Sequence, residues 1–149
     1  MRLTARLRRL PVGLWVGLGS AAGGLARWLV GLAFGPGLGL PPEAGTWFAN
    51  VTGSWAIGLW AALTGPDGRL LVGTRRRQLV ATGLCGGYTT FSMFGLETVT
   101  LVREGRLAAA SVYVAASLVG WMLAVWAGWT MGERLARPRS GRRVTGRRS

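Results

Sequence analysis

The chain has no histidine, no lysine and a single cysteine, Cys85, in 149 residues. Without histidine the commonest general base is missing. With one cysteine there is neither an internal disulfide nor a His/Cys metal cluster. No nucleophile paired with a base is visible, so the sequence does not read as an enzyme. Acid is scarce too: five Asp and Glu stand against 18 basic residues, for a net charge of +13. Charged residues make up only 15% of the chain, well below a typical soluble domain.

What is present is apolar surface and glycine: 50% hydrophobic residues, 25 glycines and eight tryptophans. Glycine scattered through apolar runs is how closely packed membrane helices are written. The length is one domain's worth, with room for four spans and little else. The reading is an all-α membrane protein in three parts. Residues 1–11 form a basic lead, 12–132 a four-helix transmembrane domain, and 133–149 a basic, disordered tail drawn to anionic headgroups. A soluble protein this basic would suggest nucleic acid. Here the arginines sit at the ends and in one loop, so membrane orientation explains them and no nucleic-acid partner is expected. The lead is not read as a signal peptide, because its apolar run is too long and has no clear cleavage site.

Span one is expected from about Val12 to Phe34. Gly13/Gly17 and Gly19/Gly23 each give the spacing that permits close helix contact. Arg27 lies in its second half, where a charge is either functional or snorkels to the interface beside Trp28. Residues 35–45 form the first loop. Span two runs from about Thr46 to Leu63, with Thr46, Asn50 and Ser54 on one polar stripe. Thr46 and Ser54 are expected to satisfy themselves on the preceding turn's carbonyls. The Asn50 amide needs a partner helix or a ligand. Residues 65–78 form a basic loop. A tight turn over 103–106 leads to span four, about Leu107 to Met131, where Tyr113, Ser117 and Trp121 continue one face. Trp126 and Trp129 suit interface anchoring.

Span three, about Leu79 to Leu101, is unusual. Gly86, Gly87, Thr89 and Thr90 are poor helix formers placed at its middle. A break at membrane depth is tolerated only where the freed backbone groups are buried in protein or line a watery cavity. Phe91 and Phe94 follow, three apart and so on one face. An aromatic ring has a positive edge, which suits a small anion in a narrow path. A glycine kink beside two packing phenylalanines is the plain alternative. Cys85 reads as a small apolar packer. Glu97, near the span's end, is either a functional charge or an interface residue.

The string Gly86-Gly87-Tyr88-Thr89-Thr90-Phe91-Ser92-Met93-Phe94-Gly95-Leu96-Glu97 resembles the third-helix signature of the Fluc (CrcB) family of small fluoride channels, with Met93 where threonine is common. Gly45-Thr46 through Asn50 to Gly53-Ser54 resembles that family's second-helix motif. The segment Gly19 to Trp28 resembles its first helix, and Tyr113 with Ser117 its fourth. The resemblance implies a passive fluoride-specific channel acting as an antiparallel dimer. Its fluoride path would be formed by Thr46, Asn50, Phe91, Phe94, Tyr113 and Ser117, with Arg27 as a charge attracting anions. It also implies a central structural sodium ion held by the backbone carbonyls of Gly86 and Thr89. Trp121 departs from the pattern, standing where something smaller and often polar is expected.

Fifteen of the 18 basic residues, all arginine, fall in the lead, the 65–78 loop and the tail. Only Arg103 and Arg106 fall on the opposite side. That bias sets both termini in the cytoplasm of a cell inner (plasma) membrane protein. It also disfavours insertion in both directions, so the expected partner is a homologous subunit of reversed charge bias. The competing readings are a small multidrug-type proton-coupled antiporter, which would want an embedded carboxylate, and a non-conducting membrane scaffold.

Overall fold

The computed structural model describes residues 11–66 and 68–136; the basic lead and most of the basic tail lie outside them. All regular structure among the described residues is helical. Helix α1 spans Val12–Leu32 and runs on through a π-helical turn, Ala33–Gly37, that contains Pro36. Helix α2 spans Pro42–Thr64, opening on Pro42 at its first position, where proline's missing N–H has no partner to lose. The third helical stretch is composite: α3 Thr74–Gln78, a π-helical run Leu79–Cys85, α4 Gly86–Tyr88 and α5 Phe91–Arg103. Helix α6 spans Leu107–Ala136.

By length and apolarity, Val12–Gly37, Thr74–Arg103 and Leu107–Ala136 qualify as membrane spans. Pro42–Thr64, at 23 residues, is long enough but more polar, so three stretches qualify where the sequence reading counts four. The helices also exceed their expected bounds. Arg75, Arg76 and Arg77 open a helix rather than ending a loop, in keeping with arginine's good helix propensity. Glu133 to Ala136 continue α6 instead of starting the tail.

The packing is inside-out relative to a water-soluble protein. Leu14, Leu18, Leu25, Leu29, Val119, Met122 and Leu123 are exposed, while Ala49, Asn50, Glu97 and Ser117 are buried. Such a surface suits hydrocarbon, and small residues then set how closely helices approach. Along α1, Gly19 and Gly23 are buried against the third stretch: a methyl on Gly23 would collide with the Leu84 carbonyl oxygen. The Gly13/Gly17 pair, identical in spacing, meets nothing within 4 Å, so only one of the two expected contacts forms within the subunit.

Between α5 and α6 the chain reverses tightly, as expected for residues 103–106. Gly105 takes φ 75°, a left-handed conformation that suits glycine. Gly105 N–H donates to Val102 O (3.0 Å) and Arg106 N–H to Leu101 O (2.9 Å), the paired bonds that close a helix end. At the opposite end of the bundle, the Arg69 guanidinium donates to Leu135 O at 2.8 Å, capping the last turn of α6 with a cation.

Candidate functional site

The helix break sits at Thr89 and Thr90, both extended (ψ 155° and 121°), at the place the glycine and threonine pairs predict. Two hydrogen bonds hold it open. Asn50 Nδ2 donates to Thr90 O at 2.9 Å, and Thr90 N–H donates to Asn50 Oδ1 at 2.7 Å. The amide's orientation is settled by chemistry, since a backbone N–H only donates. Of the two roles left open for Asn50, the interhelical bond therefore forms. One N–H of its NH₂ group remains beyond the one engaged.

The break frees carbonyls in sequence. In a continuing α-helix, Thr90 N–H would serve Gly86 O; here Asn50 takes it. Met93 N–H would serve Thr89 O; here it donates to Thr90 Oγ1 at 3.2 Å, which caps α5. Gly87 O accepts from Arg27 Nε at 3.3 Å. Arg27 is thus tied to the break while it lines a cavity of about 500 Å³ shared with Thr46, Thr90 and Glu97. Gly86 and Thr89 are the two positions expected to offer carbonyls to sodium. Two oxygens released from the ladder fit a hard cation, which wants oxygen ligands.

Glu97 is 7% exposed and joins three helices. Its Oε1 accepts from Thr46 Oγ1 on α2 at 2.7 Å, and its Oε2 accepts from Tyr113 OH on α6 at 2.6 Å. This corrects the expectation for Thr46, whose hydroxyl reaches across to a carboxylate instead of back to its own helix. Glu97 is the residue whose role the sequence left open. Its only advance signal was a lone acid inside an apolar run, and its partners lie 51 and 16 positions away.

The two phenylalanines share a face, with ring centroids 5.5 Å apart, but their surroundings differ. Phe91 is 74% exposed on the open side of the subunit, whereas Phe94 is 7% exposed. Phe94 packs on Tyr113 (5.3 Å) and edge-on to Trp121 (4.9 Å, 73°). Ser117 is fully buried on the same α6 face. A cavity of about 290 Å³ beside the break is lined by Asn50, Ser54, Gly86, Thr89, Thr90, Phe91 and Trp121, among others. The predicted residues therefore fall into two connected groups, Thr46 and Tyr113 around Glu97 and Asn50, Thr89 and Phe91 at the break, with Arg27 reaching both and Phe94 between them.

A helical chain with lipid-suited surfaces, interrupted midway along its third helical stretch around buried polar residues, belongs to the multi-pass membrane proteins. Residues 14–129 match the family described as "CrcB-like protein, Camphor Resistance (CrcB)". The chain is 51% identical over 132 residues to "Fluoride-specific ion channel FluC 1" of Bradyrhizobium diazoefficiens, covering 89% of this chain and 92% of that protein. It is 50% identical over 122 residues to "Fluoride-specific ion channel FluC 1" of Rhodopseudomonas palustris, covering 82% and 86%. It is 39% identical to "Fluoride-specific ion channel FluC 3" of Brucella abortus, covering 92% of this chain and all of that protein. The chain belongs to the CrcB family.

Proposed function

We propose that this protein is a passive, fluoride-specific channel, not an enzyme, and that it releases cytoplasmic fluoride down its gradient. The observation that carries the reading is the Asn50 amide holding open a helix break beside the mutually tilted Phe91 and Phe94 rings. Fluoride is small and tightly hydrated, so a pore must replace its water. A remaining Asn50 N–H, the phenyl edges and the Ser117 hydroxyl supply donors without opening a width that chloride would use, while the Tyr113 hydroxyl lines the path with its proton committed to Glu97. Glu97 positions the Thr46 and Tyr113 hydroxyls by accepting from both. Arg27 offers positive charge at the cavity leading to them. No proton exchange is needed, and the relatives' names favour a channel over the antiporter and scaffold readings.

In this reading Pro42–Thr64 is the fourth membrane crossing, its polar residues facing the path. Both termini lie in the cytoplasm of the inner membrane, as the arginine distribution directs. Two subunits pair antiparallel, and the released Gly86 and Thr89 carbonyls would hold a structural sodium ion, which would offset the negative ends of those carbonyls. The strong arginine bias favours a partner of opposite bias over a homodimer. Relatives numbered FluC 1, 3 and 4 accord with organisms that hold more than one such gene.

The test is fluoride efflux from liposomes holding this chain alone and this chain with a reversed-bias homologue. The reading expects fluoride release without chloride release, and strong release only with the partner. Robust flux from the chain alone would count against obligate pairing; no fluoride flux in either would overturn the channel.

A further inference from the structure

Tyr113, Ser117 and Trp121 stand four apart on α6, on one face. Their donors are not equivalent. The Tyr113 hydroxyl is engaged by Glu97 at 2.6 Å. Ser117 is fully buried, and its Oγ has no hydrogen-bond partner. One turn on, the indole Nε1 of Trp121 is also buried without a partner. Phe94 brackets the pair, packing on Tyr113 on one side of Ser117 and meeting Trp121 edge-on at the other. Trp121 also lines the cavity that Asn50, Thr90 and Phe91 share at the break.

Buried polar groups without partners are rare enough to need a reason. Trp15 and Trp60 carry unpaired indole N–H groups too, but neither lines that cavity. Among the described residues, only Trp121 combines an unpaired N–H with a second unpaired, fully buried group one turn away. A hydroxyl can donate or accept, so it serves water, cations and anions alike. An indole N–H only donates, so what completes it is an acceptor. Phe94 packs beside the pair and both donor atoms are buried, which strengthens attraction between a fixed donor and an anion.

We propose that the Trp121 indole N–H, with the Ser117 hydroxyl, forms a further fluoride-holding subsite on the far side of Phe94 from Glu97. Tryptophan here extends the donor line toward the 65–73 end of the bundle and makes that stretch answer to acceptors alone. The inference rests on the fluoride-channel reading and adds a specificity-determining residue to it.

The experiment uses the full chain with its partner and two readouts. In the first, indole ¹⁵N–¹H resonances are followed while sodium fluoride is added, with sodium chloride as control and Trp121→Phe identifying the Trp121 signal. The Trp121 resonance is expected to move saturably with fluoride and not with chloride. In the second, fluoride flux is compared among Trp121→Phe, Trp121→Ser and Trp60→Phe. Trp121→Phe keeps the ring against Phe94 and loses the N–H, and it is expected to cut flux about tenfold. Trp121→Ser restores a donor and most of the flux, and Trp60→Phe leaves flux unchanged. An unmoved Trp121 resonance, with full flux in Trp121→Phe, would overturn the subsite and leave the channel reading intact. Failure of that reading would show separately, as a wild-type protein silent to fluoride, and the resonance titration would still decide the donor.

Discussion

Asn50 and Thr90 exchange two hydrogen bonds, at 2.9 and 2.7 Å, across 40 residues of chain. One side chain satisfies both backbone groups at the point where the helix stops, and so sets the shape of the break. Asn50→Asp keeps an acceptor for Thr90 N–H, loses the donor to Thr90 O and adds negative charge beside an anion's path. Asn50→Ala loses both bonds. Both are expected to lower fluoride flux by at least about tenfold, since an unmet buried group costs ~1–3 kcal/mol. The aspartate is expected to be the worse of the two. Efflux rates on protein that still elutes as a single folded species check this.

The Glu97 hub makes a second prediction. Tyr113→Phe and Thr46→Val each remove one hydroxyl from a buried carboxylate. Hydrogen bonds to charged groups contribute about 1.5–3 kcal/mol, so each variant should melt earlier in detergent and conduct less. Because both hydroxyls converge on one carboxylate, the double variant is expected to be non-additive. Additive losses would mean that the three residues do not act as a unit.

Phe91 and Phe94 should separate stability from transport. Phe94 is buried on Tyr113 and Trp121, so Phe94→Ala leaves a cavity worth about 3–5 kcal/mol and is expected to damage folding as well as flux. Phe91 is 74% exposed in the subunit. Phe91→Ala should keep the subunit's helicity and still lose fluoride conduction. Circular dichroism melts beside efflux rates distinguish the two.

The glycine pairs of α1 offer a contrast at matched chemistry. Gly23→Ala drives a methyl toward the Leu84 carbonyl oxygen, and overpacking of this kind costs about 1–3 kcal/mol. Gly13→Ala meets nothing and should be neutral or slightly stabilising through helix propensity. Yields of folded protein and melting temperatures measure both.

The break was legible because Gly86, Gly87, Thr89 and Thr90 are weak helix formers in a run otherwise long enough to span. What holds it was not, because hydrogen-bond partners 40 or 51 residues apart leave no periodic trace. Thr46 was misread for that reason: a local bond to its own helix was available, and the distant carboxylate was invisible. Gly13/Gly17 and Gly19/Gly23 are alike in spacing, and only packing tells them apart. The helical start at Thr74 was hidden because three arginines mark a membrane boundary whether or not they are helical. The motif residues Asn50, Phe91, Phe94, Tyr113 and Ser117 are legible from sequence spacing and resemblance alone. That Phe94 touches both Tyr113 and Trp121, linking the two ends of the α6 stripe, emerged only from the fold.

Anion selectivity in a passive pore is read from the reversal potential of the reconstituted protein, with the homologue proposed to pair with it, in a planar bilayer with opposed fluoride and chloride gradients. The current is expected to reverse at the fluoride equilibrium potential and to ignore the chloride gradient. A reversal potential that follows chloride or sodium, or currents that need a proton gradient, would show that the protein is not such a pore.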